Sequence, residues 1–169
     1  MSFPISLTQI MLAITTIGSP YSISLLCGAT ILFLCLHKKT HHLLQFMIFS
    51  GLGAISVWLL KNGLQLPRPA DGIIEEYGYG FPSGHAAMAT LFFCLVLFSY
   101  MSHITNRGGK TLFLLAGILI IAAISYSRIY LGVHTWADVM GGISLGLFWF
   151  ILSVIFFEYA QKRSKIVLQ

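Results

Sequence analysis

Charged side chains are scarce in this sequence. Only 9% of its 169 residues are charged, whereas a soluble domain carries about 25%. Hydrophobic residues make up 57% of the chain, and the mean hydropathy is +0.85. This composition excludes an ordinary soluble domain. It predicts an integral membrane protein with a single domain over residues 1–169.

The sequence also lacks the cysteines for a disulfide framework, and it contains no internal repeat or low-complexity tract. Its three cysteines are odd in number, and all of them lie inside apolar runs: Cys27, Cys35 and Cys94. Cysteines in such positions are typical of packing residues.

Five apolar runs dominate the rest of the chain, and each is close to the roughly 20 residues that a bilayer span needs. They lie at about 20–36, 43–60, 86–102, 111–127 and 139–157. We therefore predict an all-α, polytopic transmembrane bundle with its core at residues 20–158. Residues 1–18 have an amphipathic pattern that favours an interfacial helix, with a sixth span as the alternative. Residues 159–169 are expected to form a cytoplasmic tail.

The net charge of +5 reports membrane topology and requires no nucleic-acid partner. Seven of the ten basic residues fall in three segments that alternate along the chain: Lys38 and Lys39, Arg107 and Lys110, and Lys162, Arg163 and Lys165. The positive-inside rule makes this end of the bundle cytoplasmic. The other three, Lys61, Arg68 and Arg128, fall on the opposite, outer side, where interfacial anchoring is the simplest alternative explanation.

A short motif on that outer side, "PSGH" at 82–85, begins the third apolar run. Ser83 is a preferred N-cap, and the free N–H groups of a helix start form an anion site. Gly84 allows close approach to the backbone, and His85 would lie beside a bound anion. A plain helix start with a surface histidine is the alternative.

A second histidine lies in "SRIYLGVHTWAD", residues 127–138. If the last helix starts near His134, that residue and Asp138 share a face, and the carboxylate would fix the imidazole tautomer. Arg128 offers donors suited to phosphate oxygens. His85, His134 and Asp138 could instead bind zinc, but three neighbouring cations would repel a metal ion. We therefore predict a phosphate site without metal or cofactor, in which two histidines supply nucleophile and general acid.

These segments resemble the three ordered motifs of the type 2 phosphatidic acid phosphatase (PAP2) superfamily. The matching residues are Lys61, Arg68 and Pro69, then "PSGH", then Ser127, Arg128, His134 and Asp138. The resemblance covers residues 18–158 and implies a helical membrane bundle with a metal-independent site at its outer interface. It also implies a lipid phosphate substrate, presented at the outer face of the cytoplasmic membrane.

The resemblance assigns a role to each site residue. His134 would attack phosphorus and form a phosphohistidine, Asp138 would orient it, and His85 would protonate the leaving oxygen. The phosphate oxygens would be held by Lys61, Arg68 and Arg128, together with Ser83 and the Gly84 N–H. A lipid-to-lipid phosphotransferase with the same site, or an anion transporter, is the alternative function.

Two further features complete the expectations. Glu75 and Glu76 lie in the only long outer loop, which we expect to form a mobile rim. Gly142 and Gly146 have the spacing of a close-packing helix pair, which favours packing within a monomer over a weak homodimer.

Overall fold

The protein is described here by a computed structural model, which covers residues 6–167 and the side chains of residues 6–159. Within that range the chain is helical and has no β-strand. The six α-helices are α1 (Leu7–Ile17), α2 (Pro20–Leu36), α3 (Thr40–Leu64), α4 (Gly84–Tyr100), α5 (Arg107–Tyr130) and α6 (Trp136–Val167). A 3₁₀ turn, Met101–His103, extends α4.

Local sequence explains the helix ends that matter for the site. Ser83 is the N-cap of α4, as predicted, although its side chain makes no capping hydrogen bond. The last helix begins at Trp136, two residues later than predicted, so His134 precedes it. Thr135 and Asp138 form the reciprocal bonds of a capping box, with Thr135 N donating to Asp138 Oδ2 at 2.7 Å and Asp138 N donating to Thr135 Oγ1 at 3.2 Å.

The all-α membrane bundle predicted from the sequence is confirmed. Four helices in the described range are long and apolar enough to cross a membrane: α3, α4 with its 3₁₀ turn, α5 and the first 24 residues of α6. Helices α1 and α2 qualify only together, as a pair bent by 44° at Gly18 and Ser19. The count therefore reaches five spans if that pair is one broken span, and residues 6–167 hold no helix for a sixth.

Helix α4 is the centre of the bundle. It is 56% buried along its apolar window, against 22–28% for the other three candidate spans. Gly142 and Gly146 of α6 pack directly on its backbone: a Cβ on Gly142 would lie 2.5 Å from Ser83 O, and one on Gly146 would lie 2.6 Å from Ala87 O. The glycine pair therefore serves packing within the chain.

The ends of the bundle differ in chemistry. At one end the α2–α3 turn meets the α4–α5 turn through a contact between Lys39 and His103, and the basic segments belong to this end. At the other end the loop between α3 and α4, residues 65–83, packs on the turn between α5 and α6. There Ile73 N donates to Leu131 O at 2.8 Å. The predicted site residues all belong to this second end.

Candidate active site

The three sequence segments converge on one cavity of about 510 Å³. Five of the eight predicted site residues line it: Lys61, Arg68, Gly84, His85 and His134. The remaining three, Ser83, Arg128 and Asp138, lie behind them and are buried. The cavity is therefore bordered by Lys61, Arg68 and both histidines at one end of the bundle.

The start of α4 supplies backbone donors and an unused hydroxyl. The first intrahelical bond runs from Ala87 N to Ser83 O at 3.0 Å, which leaves the N–H groups of the first turn without a helical acceptor. Ser83 Oγ is buried and has no hydrogen-bond partner among the described residues. A Cβ on Gly84 would meet only Val57 and Lys61, at 3.5 and 3.9 Å. The backbone at Gly84 is thus accessible from the cavity side.

Arg68 is positioned by the loop on which it lies. Its Nε donates to Gly78 O at 3.1 Å, and its two terminal nitrogens donate to Tyr77 O at 3.3 Å and Val133 O at 3.0 Å. Burial lowers the pKa of this guanidinium, while the nearby Asp138 carboxylate opposes that shift. Arg68 thus joins the α3–α4 loop to the α5–α6 turn.

The other two cations come from helix ends. Lys61, in the last turn of α3, donates to Tyr79 O at 2.5 Å. Arg128, in the last turn of α5, is only 2% exposed, and its NH1 group donates to Thr15 Oγ1 at 2.7 Å. A buried guanidinium requires partners of this kind, because an unpaired buried charge is strongly destabilising.

His134 and Asp138 are close to each other, as the sequence predicted, although His134 lies outside the helix. The distance from His134 Nδ1 to Asp138 Oδ2 is 3.6 Å, longer than an ordinary hydrogen bond. The backbone of Asp138 also contacts the start of α4, since Ser83 N donates to Asp138 O at 2.9 Å. Asp138 therefore connects the start of α4 to the histidine.

The surroundings of His134 determine its tautomer. Arg68 NH1 lies 3.1 Å from His134 Nε2, and a guanidinium is only a donor. Nε2 must therefore carry the lone pair, and the ring proton is on Nδ1, facing Asp138. Burial, followed by the positive charges of Arg68 and Arg128, lowers the pKa of His134 to about 2. The imidazole is neutral at physiological pH, and the nitrogen with the lone pair is Nε2.

Two residues of the site were not identified from the sequence. Glu76, expected on the rim, instead lines the cavity, and its Oε2 contacts both Arg68 and Arg128. Thr15 of α1 holds Arg128. No sequence pattern separates Glu76 from its neighbour Glu75, or Thr15 from Thr16.

The metal alternative finds no support in the arrangement of possible ligands. Within the range that the structure describes, no three His, Cys, Asp or Glu side chains are grouped so that they could hold a metal ion. The cavity instead gathers guanidinium, ammonium and backbone N–H groups, which are suited to an anion.

Sequence comparison supports the resemblance to a known family. Residues 42–162 match the PAP2 superfamily. The chain is 29% identical over 162 residues to phosphatidylglycerophosphatase B of Bacillus subtilis, covering 92% of this chain and 78% of that protein. It is 36% identical over 134 residues to dolichyldiphosphatase 1 of Homo sapiens, covering 71% of this chain and 56% of the human protein, so it spans little more than half of that relative's length.

Structural comparison agrees with the sequence. A crystal structure of a transmembrane PAP2-type phosphatidylglycerolphosphate phosphatase from Bacillus subtilis is similar with a TM-score of 0.83 and 28% identity, covering 90% of this chain and 77% of that one. The crystal structure of Aquifex aeolicus LpxE is similar with a TM-score of 0.68 and 26% identity, covering 90% and 87%.

Proposed function

This chain belongs to the PAP2 superfamily, and from that membership and the geometry of its cavity we propose that it is a membrane-embedded lipid phosphatase. The reaction is hydrolysis of a phosphomonoester or diphosphate of a lipid at the outer face of the cytoplasmic membrane. Candidate substrates are undecaprenyl pyrophosphate, phosphatidylglycerophosphate, phosphatidic acid and the 1-phosphate of lipid A. Metal independence and the phosphohistidine intermediate are part of the proposal.

The observation that carries this proposal is the two-sided character of the cavity. One part is bordered by cations and histidines, whereas the other is bordered by apolar side chains of α2, α3 and α4: Ile23, Ala54, Val57, Trp58 and Met88. The cavity reaches exposed residues on α2 and α3, at Ser24 and Trp58. A molecule with a phosphate headgroup and an apolar chain matches both parts, and the chain could extend into the bilayer between those helices.

In the first step, the lone pair of His134 Nε2 attacks phosphorus, a P–N bond forms, and the P–O bond to the lipid breaks. His85 donates a proton to the departing oxygen. Asp138 orients His134 and stabilises the positive charge that develops on its ring. Lys61, Arg68 and Arg128, with Ser83 and the Gly84 N–H, stabilise the charge on the phosphoryl oxygens.

In the second step, water attacks phosphorus and the P–N bond breaks, which returns the electron pair to His134. The deprotonated His85 accepts the proton from the attacking water. A lipid hydroxyl in place of water would give the phosphotransferase alternative, since both reactions share the phosphohistidine.

The test is phosphate release by purified protein from a panel of these lipids, with a chelator present. We expect phosphate release from at least one lipid. The rate of release should be at least about 10³-fold lower in His134→Ala, because removal of a covalent nucleophile abolishes most of the catalysis. His41→Ala is the matched control, because His41 is exposed at the opposite end of the bundle. Radiolabelled substrate should leave an acid-labile, base-stable phosphate on the wild type.

Two results would oppose the proposal. One is the absence of phosphate release from every lipid tested; the other is equal activity in His134→Ala and wild type. Release that requires an added divalent cation would contradict metal independence alone. Recovery of the label in a second lipid, rather than in inorganic phosphate, would favour phosphotransfer. Anion flux in proteoliposomes that survives His134→Ala would favour the transporter.

A further inference from the structure

Glu76 places a negative charge among the cations of the candidate active site. Its Oε2 lies 3.4 Å from Arg68 NH1 and contacts Arg128 NH2. The same residue lines the cavity together with His85 and His134. A carboxylate oxygen thus lies between the two guanidinium groups that the proposed function assigns to phosphate.

We propose that Glu76 occupies the phosphate subsite of the substrate-free protein and competes with phosphate for Arg68 and Arg128. This inference rests on the proposed function, because it takes these two arginines as the phosphate ligands. It assigns Glu76 a role in setting the affinity of the site for substrate and for product.

The burial of Arg128 explains why the subsite needs an anion even without substrate. The residue is only 2% exposed. Its NH1 group is bonded to Thr15, its NH2 group to Glu76, and its Nε has no partner in the described part of the chain. Removing the carboxylate would leave a buried cation without a counterion, which is strongly unfavourable. A phosphate oxygen could replace Glu76 without that penalty.

The fold allows the carboxylate to leave while the backbone stays in place. The loop is fixed on both sides of Glu76, since Ile73 N donates to Leu131 O and Gly80 N donates to Leu66 O, both at 2.8 Å. The Glu76 side chain is nevertheless 29% exposed, so rotation about its own bonds can bring the carboxylate into water. No opening of the loop is required.

Competition of this kind affects both substrate binding and product release. An incoming phosphate must displace the carboxylate, which weakens substrate binding. After hydrolysis, the carboxylate can return to the arginines as inorganic phosphate departs, which weakens product binding by the same interaction. Glu76 therefore limits product inhibition but lowers the affinity of the site for substrate.

A simple positioning role for Glu76 makes the opposite prediction. If the carboxylate only kept Arg68 and Arg128 in the correct geometry for phosphate, its removal would disorder them and weaken phosphate binding. The sign of the change in affinity therefore separates the two roles.

The experiment is calorimetric titration of the purified full-length protein with inorganic phosphate, in detergent and without lipid substrate. Glu76→Gln keeps the shape of the side chain and removes its charge. Glu75→Gln is the matched control, because it makes the same charge change at an exposed neighbour that pairs with no cation in the described residues. We expect Glu76→Gln to bind phosphate about tenfold more tightly than wild type, and Glu75→Gln to match the wild type.

Thermal unfolding gives a second measurement on the same proteins. Without phosphate, Glu76→Gln should unfold at a lower temperature than wild type, because Arg128 has lost its counterion. Added phosphate should raise the unfolding temperature more in Glu76→Gln than in wild type, since a tighter ligand stabilises more at equal concentration.

The possible failures are distinguishable. Equal or weaker phosphate binding by Glu76→Gln, with normal binding by wild type, overturns the role of Glu76 and leaves the proposed function intact. An equal increase in affinity in Glu75→Gln has the same consequence, because it would reflect net charge alone. Absence of phosphate binding in all three proteins overturns the phosphate subsite itself, and the inference with it.

Discussion

Replacing Gly142 by alanine should impair catalysis through a contact outside the cavity. A Cβ at this position would lie 2.5 Å from Ser83 O, with Ala86 Cβ and Ala87 N at 3.1 and 3.2 Å. These neighbours are backbone atoms or a Cβ, so no side-chain rotation can relieve the overlap. Helices α4 and α6 would have to separate by about 0.5 Å to reach 3.0 Å and by about 0.9 Å to reach 3.4 Å, where ordinary contact begins.

That separation acts directly on the reacting groups. Ser83, Gly84 and His85 begin α4, while Asp138 lies in the first turn of α6. A displacement approaching 1 Å between catalytic groups lowers rates by up to about 100-fold, so we expect kcat in Gly142→Ala to fall roughly 10- to 100-fold. Overpacking of this kind should also destabilise the protein by about 1–3 kcal/mol.

The assay is kcat for phosphate release at saturating lipid, together with thermal unfolding in the same detergent. Gly51→Ala, in α3, is the matched control, because a Cβ there would meet nothing within 4 Å. That variant should keep its activity within about twofold and unfold no earlier than wild type, since alanine is the better helix former. Wild-type activity and stability in Gly142→Ala would refute the account of how α4 and α6 are held together.

Two further predictions concern His134 and Thr15. Because the pKa of His134 in the folded protein is lowered to about 2, the unfolded chain binds this proton first, at about pH 6.5. As pH falls from 7 to 4, the wild type should therefore lose more free energy of unfolding than His134→Gln. Equal losses in the two proteins would contradict the lowered pKa of His134. Thr15→Val removes the acceptor of Arg128 NH1 and should raise KM for the lipid phosphate roughly 3- to 10-fold. Thr15→Ser keeps a hydroxyl acceptor and should have the KM of the wild type. Thr16→Val, whose hydroxyl is bonded to Leu12 O in its own helix, is the control, and equal effects at positions 15 and 16 would contradict a specific role for Thr15.

The parts of the fold and site that could be predicted from sequence were those with a pattern along the chain. Apolar runs of nearly bilayer length predicted the helices, and the alternation of basic segments along the chain predicted that these segments share one end of the bundle. The three ordered motifs predicted that His85 and His134 share one site with Lys61 and Arg68. Ser83 could be predicted as a helix N-cap because the preference for serine at that position is a local property of the residue type.

The remaining features depend on side-chain direction and on contacts between distant segments. Glu75 and Glu76 are adjacent and chemically identical, and only the path of the folded loop turns one of them towards the arginines. The start of α6 was misplaced because the spacing of His134 and Asp138 suggested a shared helical face, whereas Thr135 caps the helix after the histidine. The contact of Thr15 with Arg128 joins residues 113 positions apart, which no local pattern records.

The order in which the partners of Arg128 occur along the chain has a consequence for biogenesis. An arginine near the end of an apolar helix is costly to place in a bilayer without partners, and chains emerge from their amino-terminal end. Thr15 and Glu76 both precede Arg128, so both are already synthesised when α5 enters the membrane. The cation can be neutralised by Glu76 as soon as its helix is in place, whereas a permuted chain with the α3–α4 loop after α5 would leave it without this counterion until the loop had been synthesised.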